Sequence, residues 1–172
     1  AMIATARNGY PVNKTGLNDM MNDKLSAMGI NTVGLHLEDG SGLSGGNRIS
    51  AVTVSELLLK IRSEPRLKIV YNALPTSGES GTLVGRYHET APQAVGLIKA
   101  KTGSTRHTVS LAGFATSGDK EYVFVVIADH VGRTKKLQNA ARSAIDRMLG
   151  TIVKPTPITF NVPVTQALTS SN

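Results

Sequence analysis

The sequence predicts an α/β protein of the α+β type, in which an antiparallel sheet is flanked by helices. Three strand-like runs, 95–101, 108–116 and 121–130, follow one another in the last third of the chain and are separated by turn residues. The segment Ser117-Gly118-Asp119 between the second and third runs is typical of a β-hairpin turn. Residues 134–149 then carry apolar and small side chains at helical spacing, as expected of a helix that lies on a sheet.

Two further helices are predicted upstream of the sheet. The first covers 17–28, where apolar residues recur every three or four positions, and it ends at Gly29. The second is capped by Thr53, with Glu56 completing a capping box, and it runs up to Pro65. The predicted buried face of the last helix of the chain consists of Leu137, Ala140, Ala141, Ala144, Ile145 and Met148.

The segments between these helices and the sheet have weaker patterns. Residues 31–38 alternate apolar and polar side chains, which is the period of a short half-buried strand, and a glycine-rich turn follows at 39–47. Residues 66–90 mix a short helical pattern with three glycines and therefore predict surface loops.

The length of 172 residues favours one compact domain, which we expect to cover 1–150. Residues 151–172 are rich in Thr, Pro and Val, and they include Pro155, Pro157 and Pro163. Because proline fixes φ and removes a backbone donor, this segment is predicted to be an extended tail.

Composition and charge exclude several classes of function. The chain has no cysteine, which rules out disulfides, thiolate metal sites and a cysteine nucleophile. Nineteen basic and 12 acidic residues give a net charge of +7, which favours anionic partners such as nucleic acid, acidic lipid or a cell-wall polymer. The basic residues are scattered, and no aromatic residues interleave them as a base-stacking surface requires, so we expect no nucleic-acid binding.

One short motif, Lys101-Thr102-Gly103, carries recognisable chemistry at the end of the first strand-like run. A lysine on a strand edge supplies a fixed positive charge for a substrate carboxylate, the adjacent hydroxyl adds a donor, and glycine lets a ligand approach the backbone. Since alternate side chains of a strand share a face, Lys101 and Gly103 are expected on one side and Thr102 and Ser104 on the other. The alternative interpretation is a hairpin with a solvated lysine.

Three blocks in a fixed order carry a resemblance to a known family. They are 39–44 with Asn47 and Arg48, then Gly81-Thr82-Leu83, then 100–104 leading into 111–114. Over residues 17–149 the chain resembles the C-terminal part of class C penicillin-binding proteins, the S13 serine peptidases that include D-alanyl-D-alanine carboxypeptidases and endopeptidases. The resemblance implies a penicillin-binding, β-lactamase-like transpeptidase fold.

The family's cleft is surrounded by three motifs, Ser-x-x-Lys, Ser-x-Asn and Lys-Thr-Gly, and only the third fits here. The sole Ser-x-x-Lys, 117–120, falls in a predicted hairpin turn and not at a helix start, where a serine and its lysine base would share a face. The sole Ser-x-Asn, 170–172, follows Lys101 instead of preceding it. The resemblance therefore implies a partner, an N-terminal half of the same protein carrying both motifs, without which the chain is expected to be inert. A divergent non-catalytic relative is the alternative.

The resemblance also implies roles for individual residues. Lys101 is the catalytic candidate, because its ammonium would hold the substrate carboxylate and lower the pKa of the base lysine through like-charge proximity. Thr102, Gly103 and Ser104 are substrate-binding candidates, and the backbone N–H near Ser104 would complete an oxyanion hole. The pocket for the stem peptide would be lined by Leu43, Thr105 and Arg106, although Arg106 is equally consistent with an exposed hairpin residue.

By resemblance the complete protein would be a serine D-alanyl-D-alanine carboxypeptidase, or an endopeptidase, acting on peptidoglycan stem peptides and acylated by β-lactams. It would need no cofactor and no metal, and it would work outside the cytoplasm, in the periplasm or cell envelope. The basic charge leaves peripheral membrane or cell-wall association open. The alternatives are a non-catalytic cell-wall-binding relative and a β-lactamase of related fold.

Overall fold

The structure, a computed structural model, describes residues 14–153. The described part of the chain contains α1 Lys14–Ala27, α2 Ala51–Ser63, α3 Lys68–Asn72, β1 Ile98–Ser104, β2 Val109–Ser117, β3 Lys120–Ala128 and α4 Lys135–Val153. Single 3-10 turns lie at Pro65–Leu67, Gly81–Leu83 and Pro92–Ala94. This confirms the α+β class, with an antiparallel sheet flanked by helices.

The sheet is a meander in the order β1-β2-β3, and both pairs of strands are antiparallel. The predicted hairpin is present, because Ser117 pairs with Lys120 across a two-residue turn that opens with Gly118 at φ +61°. The first two strands approach each other closely: a Cβ on Gly113 would lie 2.6 Å from the Cα of its partner Ala100. Glycine at that position therefore allows the pairing that holds β1 in place.

The main core lies between one face of the sheet and α4. Ile98 and Ala100 of β1 and Leu111 of β2 are buried there against Ile145 and Leu149 of the helix. The opposite face of the sheet is covered by α2. Tyr71 of α3 packs edge-on against Phe114 of β2, with the ring centroids 4.9 Å apart. The sheet thus lies between helices, and this packing fixes the positions of the residues at the edges of the sheet.

The predicted face of the last helix is partly wrong. Leu137 and Met148 are 51% and 44% exposed, and Ala140 and Ala144 are exposed as well. The face that is buried consists of Ile145, Asp146, Leu149, Gly150 and Val153. The apolar pattern misleads because the buried face of α4 also includes a carboxylate, Asp146, and Gly150, which a search for apolar side chains does not detect.

The same helix also extends three residues past the predicted domain boundary at Gly150. Gly150 is helical, and a Cβ there would lie 2.7 Å from the Cβ of Ala91, so this glycine serves close packing and not a helix end. Thr151–Val153 are therefore helical, whereas the remainder of the predicted tail, including 170–172, lies outside the described residues.

Two predictions about the N-terminal part are corrected. The strand over 31–38 is reduced to one isolated bridge between His36 and Arg48. The second helix begins before Thr53, because Ser50 is its N-cap and its hydroxyl accepts from the Thr53 N–H at 3.0 Å. The Glu56 carboxylate accepts from the backbone N–H of Asn31 at 2.6 Å, so it joins two segments instead of closing a capping box.

Within residues 14–153, no helix is long and apolar enough to cross a membrane. The same residues hold no cluster of three or more His, Cys, Asp or Glu side chains that could bind a metal ion.

Candidate active site

The Lys-Thr-Gly motif lies in the second half of β1, at an edge of the sheet. The predicted strand 95–101 is shifted to Ile98–Ser104 because Gly96, at φ +78°, interrupts the extended backbone before the strand begins. The motif is therefore held inside the strand and paired with β2, with Lys101 opposite Ala112 and Gly103 opposite Ser110.

Half of the outer edge of β1 is open. At the start of the strand, the Ala100 N–H donates to the Pro75 carbonyl at 2.9 Å and the Ile98 carbonyl accepts from the Ser77 N–H at 2.8 Å. Since backbone groups of an edge strand alternate in direction, those of Thr102 and Ser104 point to this same outer edge. They make no backbone hydrogen bond there with any other described residue. The open stretch can accept an extended peptide.

The side chains of the motif lie as the strand alternation predicts. Thr102 and Ser104 face the side of α4: the Thr102 hydroxyl donates to the Thr82 hydroxyl at 3.1 Å, and the Ser104 hydroxyl accepts from Arg142 of α4 at 3.0 Å. Lys101 starts on the opposite face, yet its Nζ donates to the carbonyl oxygen of Thr102 at 2.7 Å. The Lys101 ammonium therefore reaches the open edge of β1, the strand that also carries the Thr102 and Ser104 hydroxyls.

Gly103 is required by packing between the first two strands. A Cβ at this position would collide with the hydroxyl of Ser110 on β2. The glycine therefore keeps the surface of the strand flat beside Lys101.

The hairpin that carries Thr105 and Arg106 has a well-defined backbone. The Thr105 hydroxyl accepts from the Thr108 N–H at 3.2 Å, and the Thr105 N–H donates to the Thr108 carbonyl at 2.9 Å. The side-chain amide of Gln138 on α4 donates to the carbonyls of Thr105 and Arg106 at 3.2 and 3.3 Å. The Arg106 residue is exposed, as both interpretations of this residue require.

Leu43 lies on a loop that is organised by one carboxylate. Asp39 accepts from the side-chain amide of Asn47 and the hydroxyl of Ser41, both at 2.8 Å, and from two backbone N–H groups of the same loop. These donors, the Asn47 amide first, lower the pKa of Asp39 to about 2. Leu43 is 78% exposed on this ordered loop.

The positive charge of Arg48, which follows the loop, acts on a carboxylate at the hairpin. The pKa of Asp129 is lowered because the His130 N–H and the Thr108 hydroxyl donate to its carboxylate, and the positive charge of Arg48 at the end of the loop contributes. Asp129 is therefore within electrostatic reach of Arg48 while it is bonded to Thr108. The charge of Arg48, next to the loop of Leu43, therefore acts on a carboxylate that is bonded to the hairpin residue Thr108.

Three charged residues that the sequence did not indicate lie at or next to the motif: Arg86, Arg142 and Asp146. Arg86 forms an ion pair with the buried carboxylate of Asp146 on α4, with an Nη2–Oδ1 distance of 2.5 Å. Arg86 also donates to the backbone carbonyl of Arg142 at 3.4 Å. A cleft of about 340 Å³ is lined by Thr82, Gly85, Arg86, Thr102, Gly103, Ser104, Val109, Ser110 and Arg142. The carboxylate at position 146, set between apolar helix positions, is the one sequence signal that could have indicated a buried pair.

The sole Ser-x-x-Lys of the sequence has no nucleophile geometry. Ser117 ends β2 and Lys120 begins β3, so the two residues face each other across the hairpin, as predicted. The Ser117 hydroxyl donates to the carbonyl of Val153 at 3.0 Å. Its role is to attach the end of α4 to the sheet.

A Lys-Thr-Gly strand at the open edge of an antiparallel sheet, with helices on both faces, defines the penicillin-binding class of fold. The crystal structure of penicillin binding protein 4 from Haemophilus influenzae, complexed with a β-lactam, superposes on 88% of this chain with a TM-score of 0.75 and 26% sequence identity. The chain covers 36% of that protein. The profile of the D-Ala-D-Ala carboxypeptidase 3 (S13) family matches residues 1–152, and the chain belongs to this family.

Curated relatives agree with the family and are much longer than this chain. Carboxypeptidase DacB of Mycolicibacterium smegmatis is 35% identical over 147 residues, which is 83% of this chain and 32% of the relative. The D-alanyl-D-alanine carboxypeptidase of Actinomadura sp. is 39% identical over 110 residues, 61% of this chain and 20% of the relative. The chain therefore spans a third or less of the length of these two relatives.

Proposed function

We propose that this chain is the substrate-binding part of a serine D-alanyl-D-alanine carboxypeptidase or endopeptidase that acts on peptidoglycan stem peptides and is acylated by β-lactams. The observation that carries the proposal is the open half of the β1 edge. There the Lys101 ammonium lies at the Thr102 carbonyl, while the hydroxyls of Thr102 and Ser104 line the adjoining cleft. The names of the relatives and the bound β-lactam of the superposed structure support the same activity.

The open half of the β1 edge supports one pose for the substrate. An extended acyl-D-Ala-D-Ala peptide can add to the outer edge of β1, because backbone groups of Thr102 and Ser104 point outwards there. The terminal carboxylate then lies between the Lys101 ammonium and the two hydroxyls, which are suitable donors for an acceptor-only group. The lysine exchanges its bond to the Thr102 carbonyl for this carboxylate.

Chemistry in this pose needs a serine from another part of the protein. That serine would attack the penultimate D-Ala carbonyl while a neighbouring lysine accepts its proton. The Ser104 N–H, which points to the open edge, would share the oxyanion with the N–H of the nucleophile. The proton passes to the amine of the leaving D-Ala, and water then hydrolyses the acyl-enzyme to regenerate the serine.

We assign the serine and its lysine to an N-terminal half of the same protein, carrying the Ser-x-x-Lys and Ser-x-Asn motifs. Two findings support this partner: the chain spans 32% of its Mycolicibacterium relative, and the second half of the outer edge of β1 is not paired with any described residue. Leu43, Thr105 and Arg106 are assigned to the stem-peptide pocket by the resemblance to the family, and the effect of the Arg48 charge on Asp129, which is bonded to Thr108 of the hairpin, supports this assignment. Because peptidoglycan is built outside the cytoplasm, the proposed activity places the protein in the periplasm or cell envelope.

The test is covalent labelling of the full-length protein with a fluorescent penicillin, combined with release of D-Ala from an acyl-D-Ala-D-Ala peptide. Labelling of a serine outside this chain together with D-Ala release is expected, while residues 1–153 expressed alone should remain unlabelled. Rapid β-lactam turnover without D-Ala release would indicate a β-lactamase instead. Binding to purified peptidoglycan without labelling would indicate a non-catalytic relative.

A further inference from the structure

Two arginines lie beside the Lys-Thr-Gly strand, and only one of them is paired with a carboxylate among the described residues. Arg86 is paired with the Asp146 carboxylate, and its side chain is 15% exposed. Arg142 has no carboxylate partner among residues 14–153: its Nη1 donates to the side-chain oxygen of Asn139 at 2.8 Å and its Nη2 to the hydroxyl of Ser104 at 3.0 Å. An unneutralised guanidinium therefore lines the cleft together with Thr102, Gly103 and Ser104.

The bond from Arg142 fixes what the Ser104 hydroxyl can do. A serine hydroxyl has one proton and two acceptor lone pairs, and a guanidinium can only donate. When Arg142 occupies a lone pair of Ser104, the hydroxyl proton is left to be donated elsewhere. A carboxylate can accept this proton, and its negative charge complements the guanidinium of Arg142.

The arginine is also held in place by the rest of the fold. Arg86 donates to the Arg142 carbonyl at 3.4 Å while its guanidinium is bonded to Asp146, one turn further along α4. The bond from Arg142 to Asn139 lies within the same helix, three residues apart. The backbone carbonyl and the guanidinium of Arg142 therefore both have hydrogen-bond partners, which restrict the motion of the side chain and favour a preorganised anion site.

We propose that Arg142 is a second cation of the carboxylate subsite, which orients the Ser104 hydroxyl as a donor and adds positive charge on the face of β1 opposite to the origin of Lys101. The inference rests on the proposed peptidase function, because it concerns the terminal carboxylate of that substrate. Arg142 is accordingly a positioning and specificity-determining residue, separate from the motif itself.

The test compares two substrates on the full-length protein: an acyl-D-Ala-D-Ala peptide and the same peptide with a C-terminal amide. Arg142→Ala should lower kcat/KM for the carboxylate peptide by about ten- to a hundredfold, the range for a charge-assisted hydrogen bond. It should change kcat/KM for the amide by less than about threefold, since the amide has no charge to lose. Arg142→Lys should recover part of the discrimination, because it restores the charge without the planar fork.

Arg147 supplies the matched control, since it is an exposed arginine on the same helix and outside the cleft. Arg147→Ala should leave both rates at the wild-type level. A double-mutant cycle adds a second measure: in a Ser104→Ala background the Arg142→Ala effect should shrink, because part of it acts through the hydroxyl. Thermal melts of each variant show whether it is folded.

The outcomes separate the two proposals. If the wild-type protein neither hydrolyses the peptide nor is acylated by penicillin, the proposed function fails and the inference falls with it. If the wild-type protein is active but Arg142→Ala lowers kcat/KM equally for both substrates, or for neither, Arg142 does not recognise the carboxylate. The inference alone is then overturned. If Arg142→Ala does not fold, the folded Arg142→Lys variant decides. A preference for the acid over the amide that is smaller than that of the wild-type protein supports the inference, and an unchanged preference overturns it.

Discussion

Arg86 and Asp146 form an ion pair between residues 60 positions apart in the sequence, with their side chains only 15% and 4% exposed. The pair connects the segment that follows the 3-10 turn Gly81–Leu83 to α4, and the Thr90 hydroxyl donates to the same carboxylate at 3.3 Å. Because Arg86 also contacts Arg142, the pair fixes the wall of the cleft beside β1. It is a structural element of the candidate site.

Asp146→Ala should destabilise the full-length protein strongly. The change leaves the Arg86 guanidinium buried without its counter-charge, and breaking a buried pair by removing one partner costs about 3–5 kcal/mol. Chemical denaturation measures the loss of unfolding free energy. Asp119→Ala in the exposed β2–β3 turn is the control and should cost less than about 0.5 kcal/mol. Equal effects of the two variants would show that the pair contributes nothing.

Lys101→Ala should slow acylation of the full-length protein by penicillin by about ten- to a hundredfold, because a charge-assisted hydrogen bond to the ligand carboxylate is removed. Lys101→Arg should restore only part of the rate, since a planar fork does not replace a compact ammonium at the strand edge. Second-order acylation constants measure both effects.

The control for this lysine is chosen from its surroundings. Lys99 shares its face of β1, but its ammonium lies 5.2 Å from the centre of the Tyr71 ring and so contributes to packing. Lys120, an exposed lysine at the β2–β3 turn, is the better comparison. If the acylation constants of Lys101→Ala and Lys120→Ala were both close to the wild-type value, β1 would not be part of the active site.

Gly103→Ala should separate ligand approach from stability. The new methyl group would meet the Ser110 hydroxyl, which can rotate away at a cost of about 0.5–1.5 kcal/mol if it leaves its preferred rotamer. Acylation should fall by about tenfold or more, because the methyl group enlarges the strand surface beside Lys101. In the Gly103→Ala/Ser110→Ala double variant the clash is removed, so stability should return while acylation stays low. Recovery of both would mean that Gly103 serves packing only.

The Asp39 carboxylate should support its loop down to unusually low pH. Its pKa is lowered to about 2 in the folded protein from 3.8, so the ionised group stabilises the loop fully above 3.8 and loses this effect as the pH falls through about 2. The difference in unfolding free energy between the wild-type protein and Asp39→Asn should be constant from about pH 7 to about pH 5 and shrink below 3.8. A difference that vanished between about pH 5 and pH 7 would contradict the assignment.

The sequence was sufficient for features that depend on neighbouring residues. Period-two patterns and turn residues predicted the three strands, and the two-residue turn at Gly118 and Asp119 was found where its chemistry indicated. The placement of Thr102 and Ser104 on one face of β1 follows from strand alternation alone. Such features need no knowledge of distant residues.

The parts that sequence reasoning missed depend on contacts between distant segments. Arg142 and Ser104 are 38 positions apart, and no periodicity encodes a bond between one arginine and one hydroxyl. The face of α4 was misjudged for a related reason: whether Leu137 is buried depends on where the core ends, which the helix pattern does not contain. Glu56 matched a capping box, but its carboxylate accepts from the backbone N–H of Asn31, 25 positions earlier in the sequence.

Residues 1–153 expressed alone should fold with weak cooperativity. Large apolar side chains are exposed on several segments: Val33 is 80% exposed, Ile69 75% and Val84 55%. The open half of β1 adds unpaired backbone groups at a sheet edge, which is a template for association with another chain. Co-expression with the N-terminal half should cover part of this surface, so we expect a sharp cooperative melt for the reconstituted protein and a broad, concentration-dependent melt for the segment alone. Differential scanning calorimetry with analytical ultracentrifugation measures both properties, and a sharp two-state transition of a monomeric segment would show that these surfaces need no partner.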